Sequence, residues 1–236
     1  MEAFILAGGL GTRLRPYTFC FPKPLMPVAE RPILEIIMSQ LKQFGFTKVT
    51  ISTGYLAELI RTYFAEGSKV GIDISYVHEE TPLNTAGAMQ LFSPENDHFL
   101  MMNGDILTDL DFSAMYSYHV ERDAIATVAV KKRQHKIDFG VITSNAKGEL
   151  VNYIEKPSHD YNVSTGIYVF SKHVISYIKK NESIGLPDLL LRLLAEGEKI
   201  NCYDVDPVWL DIGRIDDYQL AQEMLIKNNM CFTQNV

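Results

Sequence analysis

After Met1-Glu2 the chain runs Ala3-Phe4-Ile5-Leu6-Ala7 and stops at Gly8-Gly9. A short continuous apolar run closed by glycine reads as a buried strand that ends in a loop. The same beat recurs along the chain, and this recurrence most restricts the architecture. Residues 31–45 place Ile33, Ile36, Ile37 and Leu41 at helical spacing, with a proline at the start and Gly45 as a stop. Residues 48–53 read as a strand, 57–67 as a helix and 72–77 as a strand. A helix starts within 86–92, a strand over 98–105 is broken by Asn103-Gly104-Asp105, and helix and strand alternate again over 111–120 and 124–130. Repeated strand–loop–helix units predict an α/β fold with a mostly parallel, doubly wound sheet covered on both faces. In such sheets ligands bind beyond the carboxyl ends of the strands. The glycine loop at 8–11 and the acidic turn at 103–105 both follow apolar strands. If those strands are neighbours, the two loops face one crevice.

From residue 139 the pattern changes. Residues 139–157 read as two short strands around a turn at Lys147-Gly148, followed by a break at Pro157. Residues 164–170 read as a further strand, and these hairpin-like pieces predict an insertion or edge covering the crevice. Helices are expected around 171–179 and 186–196, a strand near 199–203 and a closing helix over 216–228. The 236 residues show no repeat, low-complexity stretch or linker, so one domain over 1–236 is expected.

An apolar share of 47% and a charged share of 22% fit a soluble chain with a full core. No apolar run reaches the roughly 18 residues that span a bilayer. The start lacks a basic n-region, so a cytoplasmic protein without a membrane partner is expected. A net charge of −7 argues against a nucleic-acid partner. An acidic protein still binds small anions where its cations converge. Cys20, Cys202 and Cys231 are odd in number and scattered, which argues against a disulfide framework or zinc site. They read as small reduced hydrophobes of the interior. The six histidines show no metal-ligand spacing and read as structural.

The glycine loop matches neither familiar fingerprint. A P-loop needs Lys beside its last glycine, and here Thr12-Arg13 follow Gly11. The dinucleotide motif needs a third glycine where this chain has Leu14. Glycines at these positions alone would serve a tight turn. The flanking residues add chemistry. Arg13 and Arg15 follow at once, and Pro22, Pro24 and Pro27 bracket Lys23 in what reads as a stiff extended segment. Residues 1–25 hold three cations against Glu2 alone, a net of +2 in a chain that is −7. Positive charge beside loop amides suits a polyphosphate.

Seven motifs in order now carry a resemblance: LAGGLGTRLRPYT…PKPLMPV, EETPLNTAGAM (79–89), NGD (103–105), FGV (139–141), EKP (155–157), STGIYVF (164–170) and WLDIGRIDDY (209–218). Together they resemble the sugar-1-phosphate nucleotidylyltransferases over almost the whole chain. The resemblance implies a Rossmann-like three-layer α/β/α sandwich with a mixed, mostly parallel sheet. It implies that NTP and sugar 1-phosphate react to NDP-sugar and pyrophosphate. The sequence lacks the repetitive β-helix that some relatives append.

The resemblance also implies roles. Gly8, Gly9, Gly11 and Thr12 contact the NTP phosphates and ribose side, with Leu6 and Ala7 beside them. Arg13 stabilises departing pyrophosphate, Lys23 contacts the α-phosphate region, Lys156 holds the sugar phosphate and Glu155 the sugar hydroxyls. Asn84, Thr85, Asn103, Gly140, Thr165 and Gly166 complete the substrate positions, and Asp105 and Asp211 carry Mg²⁺. Glu79 takes the place that reads the nucleobase edge. A carboxylate accepts from both N1–H and the 2-amino group of guanine, whereas uracil and thymine offer one such donor. GTP and a mannose- or heptose-like 1-phosphate are therefore favoured. Uridylyl or thymidylyl transfer to a hexose or muramate 1-phosphate is the alternative, and a catalytically silent sugar-nucleotide-binding subunit is the rival of another class. A homo-oligomer is compatible with the sequence. Two positions depart from the pattern: Asn84, where most relatives have Gly, and Arg214, where many have Thr. Asn tolerates left-handed backbone, so the turn at 84 is expected to survive.

Overall fold

The computed structural model describes residues 1–206 and 208–227, with side chains through Leu225. The elements in chain order are β1 (Glu2–Leu6), β2 (Pro27–Val28), β3 (Arg31–Pro32), α1 (Ile33–Gln43), β4 (Lys48–Thr53), α2 (Ala57–Phe64), β5 (Asp73–His78) and α3 (Asn84–Gly87). Next come β6 (His98–Asn103), β7 (Ile106–Thr108), α4 (Phe112–Glu121), β8 (Ala126–Lys136), β9 (Val141–Ser144) and β10 (Leu150–Ile154). The last are β11 (Ser158–Ser171), α5 (Leu186–Ala195), β12 (Ile200–Asp204), β13 (Trp209–Asp211) and α6 (Ile215–Lys227).

Seven strands form the central sheet in the order β12-β8-β11-β6-β1-β4-β5. Only β11 runs antiparallel to its neighbours, β6 and β8. The expected mixed, mostly parallel sheet is therefore present. Alternation along β1 sends Ala3 and Ile5 to one face and Phe4 to the other. Ala3 and Ile5 share a core with α1, α2 and α4 through Leu34, Ile60 and Phe112. Phe4 shares a second core with α3 and α5 through Ala86, Leu189 and Leu193. The result is a three-layer sandwich.

Several boundaries differ from the sequence reading for identifiable reasons. Residues 31–32 pair in the small β2–β3 hairpin, and Pro32, at the N-cap, delays α1 to Ile33. The stretch 86–92 holds no long helix: α3 gives way to a 3₁₀ turn over Ala88–Leu91. The helix expected around 171–179 is present as a 3₁₀ helix over Lys172–Tyr177. Strand β8 continues past residue 130 to Lys136, and β11 begins six residues before 164, at Ser158. The two extensions pair as an arm exposed on both sides, so their residues are mostly polar, and Tyr161 and Val163 alone give too little alternation to mark a strand. Lys132 and Asp160 form a cross-strand ion pair there at 2.8 Å. Beside the arm, β9 and β10 form the antiparallel hairpin expected within 139–157. Cys20 and Cys202 are free and exposed, which corrects the interior reading for both. Cys231 and the end of the expected closing helix at residue 228 lie outside the described residues. No helix among the described residues is long and apolar enough to cross a membrane.

One histidine is a structural titration point. His119 on α4 is fully buried; its Nε2 lies 3.1 Å from His98 Nδ1 and its Nδ1 lies 2.8 Å from Thr127 Oγ1. Burial, then the neighbouring His98, pushes its pKa down from 6.5 to about 4. The unfolded chain therefore takes up a proton there before the folded one does. The stability this site contributes is complete above pH 6.5 and is lost as pH falls towards 4. Urea melts should show about 2 kcal/mol lost at this site by pH 5 relative to pH 7.5. The decline should be shallower in His119→Gln; an equal slope in both proteins would contradict the assignment.

Candidate active site

The parallel pairing of β1 with β6 sets Leu6 beside Asn103, so the loops that leave both strands emerge together. Gly11 makes the first loop possible. It adopts φ +58, and a Cβ there would lie 2.9 Å from Thr18 Cγ2. Thr18 Oγ1 donates to the Gly11 carbonyl at 2.8 Å, and Leu14 N–H donates to the same oxygen at 2.9 Å. Leu14 is buried and anchors the 3₁₀ turn Thr12–Leu14. The position that broke the dinucleotide fingerprint is thus a core anchor that holds Arg13 on the turn above it.

Lys23 is not in a continuous extended segment. Pro22 and Met26 are extended, but Lys23–Leu25 form a 3₁₀ turn with Pro24 and Leu25 buried. This turn presents Lys23 to the second loop, where its Nζ forms an ion pair with Asp105 Oδ2. Side-chain exposures of 11% and 22% mean the pair is only weakly screened by water. The other oxygen, Asp105 Oδ1, is buried and has no partner in the protein. A buried acceptor left unpaired costs free energy unless a ligand or ion satisfies it.

The second aspartate arrives from the far end of the chain. Strand β13 pairs antiparallel with β7, setting Asp211 opposite Ile106, and Ile212 N–H donates to the Asp105 carbonyl at 3.1 Å. Asp211 keeps solvent access, yet its carboxyl is partly desolvated, which pushes its pKa up. The Asp105 charge pushes the same way, while Lys23 and Arg13 oppose it. The Arg13 guanidinium lies beside Gly213, 3.3 Å from where a Cβ would stand. Two carboxylates and two cations therefore share one small region.

A cavity of about 730 Å³ opens above the β1 and β6 loops. Of the residues expected at the site, Leu6, Ala7, Gly8, Gly9, Gly11, Thr12, Arg13, Lys23, Glu79, Asn84, Thr85, Asn103 and Asp105 line it. Asn84 adopts φ 63, the left-handed conformation expected of an Asn standing for Gly. Its side-chain amide donates to Ser183 Oγ at 3.2 Å.

The remaining expected residues lie off the cavity lining. Thr165 is buried and donates its hydroxyl to the Ala129 carbonyl at 2.9 Å. Gly166 has φ +78 and packs where a Cβ would come 2.8 Å from Asn103 Nδ2, so it supports the lining from behind. Glu155 and Lys156 are exposed at the foot of the β9–β10 hairpin, where Tyr153 OH donates to Glu155 Oε2 at 2.8 Å. Gly140 lies against that same tyrosine. Tyr55, His78, Glu80 and Pro82 also line the cavity and were not expected. Tyr55 follows β4 and His78 ends β5. The rule placing ligands at strand carboxyl ends applies to them as it does to Gly8.

The fold and the site define a doubly wound α/β protein with a crevice over its central strands, beside which two cations and two carboxylates converge. Residues 2–228 match the nucleotidyl transferase family, and the chain belongs to that family. It is 34% identical over 241 residues to a UTP–glucose-1-phosphate uridylyltransferase of Synechocystis, covering 94% of this chain and 62% of that protein. It is 31% identical over 234 residues to a mannose-1-phosphate guanylyltransferase of Mycobacterium tuberculosis, covering 96% of this chain and 65% of that one. The chain thus spans less than two thirds of the length of these curated relatives. The crystal structure of HddC from Yersinia pseudotuberculosis shares the fold, with a TM-score of 0.75 at 24% identity over 95% of this chain and 99% of that one.

Proposed function

We propose that this chain transfers a nucleotidyl group from an NTP, preferentially GTP, to a mannose- or heptose-like sugar 1-phosphate. The observation that carries the reading is the Lys23–Asp105 pair, with its orphaned buried carboxylate oxygen, at the mouth of the glycine loop. An oxygen of the sugar phosphate attacks the NTP α-phosphorus, the bond from that phosphorus to the bridging oxygen breaks, and pyrophosphate leaves with the bonding electrons. A phosphate monoester has its second pKa near 6, so the nucleophile is already ionised at neutral pH. No side-chain base is required, and the chain's task is to position anions and offset their charge. The loop amides and Thr12 cradle the phosphates. Lys23 draws the α-phosphate and incoming phosphate together, and Arg13 neutralises charge on the leaving group. Lys156 is proposed to hold the sugar phosphate, and Glu155 the sugar hydroxyls, from the hairpin foot.

The carboxylate pair fits a divalent cation. Asp105 Oδ1 lacks a partner, and the Asp211 carboxyl is partly desolvated and lies within reach of the Asp105 charge, both of which push its pKa up. Mg²⁺ takes one or two carboxylates, completing its shell with water and substrate phosphates, so Asp105 and Asp211 would hold it. Bound there, Mg²⁺ would supply charge neutralisation for the triphosphate.

The preference for GTP rests on Glu79. Glu79→Gln should reduce kcat/KM for GTP about tenfold more than for UTP, because one acceptor facing guanine becomes a donor. Pyrophosphate release measured over a matrix of NTPs and sugar 1-phosphates tests both points. Silence with every pair would overturn transferase activity, and equal losses in Glu79→Gln would remove the argument for guanine.

A further inference from the structure

Glu79 is held by two donors from different elements. Ser52, fully buried at the end of β4, donates its hydroxyl to Glu79 Oε1 at 2.8 Å. The Leu83 backbone N–H donates to Oε2 at 3.1 Å. The Glu79 backbone is itself fixed, its N–H donating to the Thr53 carbonyl at 3.0 Å. From the cavity side Gly8 closes in, since a Cβ there would lie 3.0 Å from Oε1. The carboxylate thus has one oxygen committed to each donor and little room to rotate. An ionised carboxylate has about four acceptor sites, so one or more remain free on each oxygen.

We infer that Ser52 is a positioning residue for base choice: it locks the Glu79 carboxylate so that both oxygens offer fixed acceptors to a nucleobase edge. This rests on the crevice being the NTP site. A freely rotating carboxylate would accommodate either one ring donor or two neighbouring donors with little penalty. A carboxylate pinned at both oxygens rewards the edge whose donors match its fixed spacing, because a mismatched edge leaves an acceptor unpaired. Ser52 never meets the ligand in this account; it acts through Glu79.

The test is equilibrium binding of GTP and of UTP, with Mg²⁺ and without sugar phosphate, by calorimetry. The proteins are the wild type, Ser52→Ala, Ser52→Cys, Glu79→Ala and the Ser52→Ala/Glu79→Ala double variant. Ser52→Ala should shrink the ratio of the two dissociation constants about tenfold, the value of one hydrogen bond to a charged group. Ser52→Cys keeps the shape with a weaker donor and should fall between. In the Glu79→Ala background, Ser52→Ala should change the ratio less than about twofold. A merely structural Ser52 would shift both nucleotides equally or act the same in both backgrounds, and either result overturns the inference. A wild type preferring UTP would overturn the guanine reading alone, and loss of that preference in Ser52→Ala would still support the role of Ser52. A wild type binding neither nucleotide, or both equally, overturns the inference with the reading beneath it.

Discussion

Asp105→Asn is expected to lower the rate of pyrophosphate release by about a thousandfold, with the fold intact. Preorganised electrostatic groups at a reacting centre typically carry factors of 10²–10³ each, and Asp105 holds two such positions at once. One oxygen pairs with Lys23, and the other is buried with no partner in the protein. Asparagine preserves the shape but removes the charge from both. Lys23 would lose its counter-charge, and a divalent cation would lose one of its two carboxylates. Steady-state kinetics with the best substrate pair, beside a thermal melt, separates lost chemistry from lost folding. Activity within a few-fold of wild type would exclude Asp105 from the reacting centre.

Lys23→Met should be nearly as damaging, with kcat reduced about 10²–10³-fold. Methionine keeps an unbranched stem of similar length on the turn beside Gly11 while deleting the cation. Lys23→Arg should rescue poorly. A planar fork replaces a compact ammonium on a short turn, and the two cations are not interchangeable in so confined a place. Removing one partner of a partly buried ion pair also exposes the other, so some stability should be lost. The discriminating result is therefore the split: a large fall in kcat with a modest fall in melting temperature. A proportionate fall in both would make Lys23 structural.

Much of the architecture was legible because apolar runs closed by glycine are unambiguous. Phe4 and Ile5 before Gly8, and Leu100 to Met102 before Gly104, marked two strands that prove to be neighbours. That adjacency brings Lys23 to Asp105. The β7–β13 pair was not legible, since three-residue strands carry no measurable period. The exposed arm of β8 and β11 was missed because strands wet on both faces are mostly polar. At the site, Asn84 was read correctly as left-handed because it stands where most members of the resembled family have Gly, and Asn tolerates that conformation. Ser52 gave no signal, because a serine ending an apolar strand is indistinguishable from ordinary strand sequence until Glu79 is placed beside it.

The distance in sequence between the two aspartates has a consequence for how the protein is made. Asp105 and the glycine loop emerge from the ribosome long before Asp211, which reaches them only through the pairing of β13 with β7. Synthesis proceeds from the N-terminus, and early segments begin to fold as they appear. A nascent chain can therefore assemble β1, β4, β5 and β6 with their crevice while the second carboxylate is still untranslated. The complete charge arrangement forms only when β13 docks on β7. Competence thus becomes a late event in the life of each molecule, because the pair of carboxylates is complete only once Asp211 is in place.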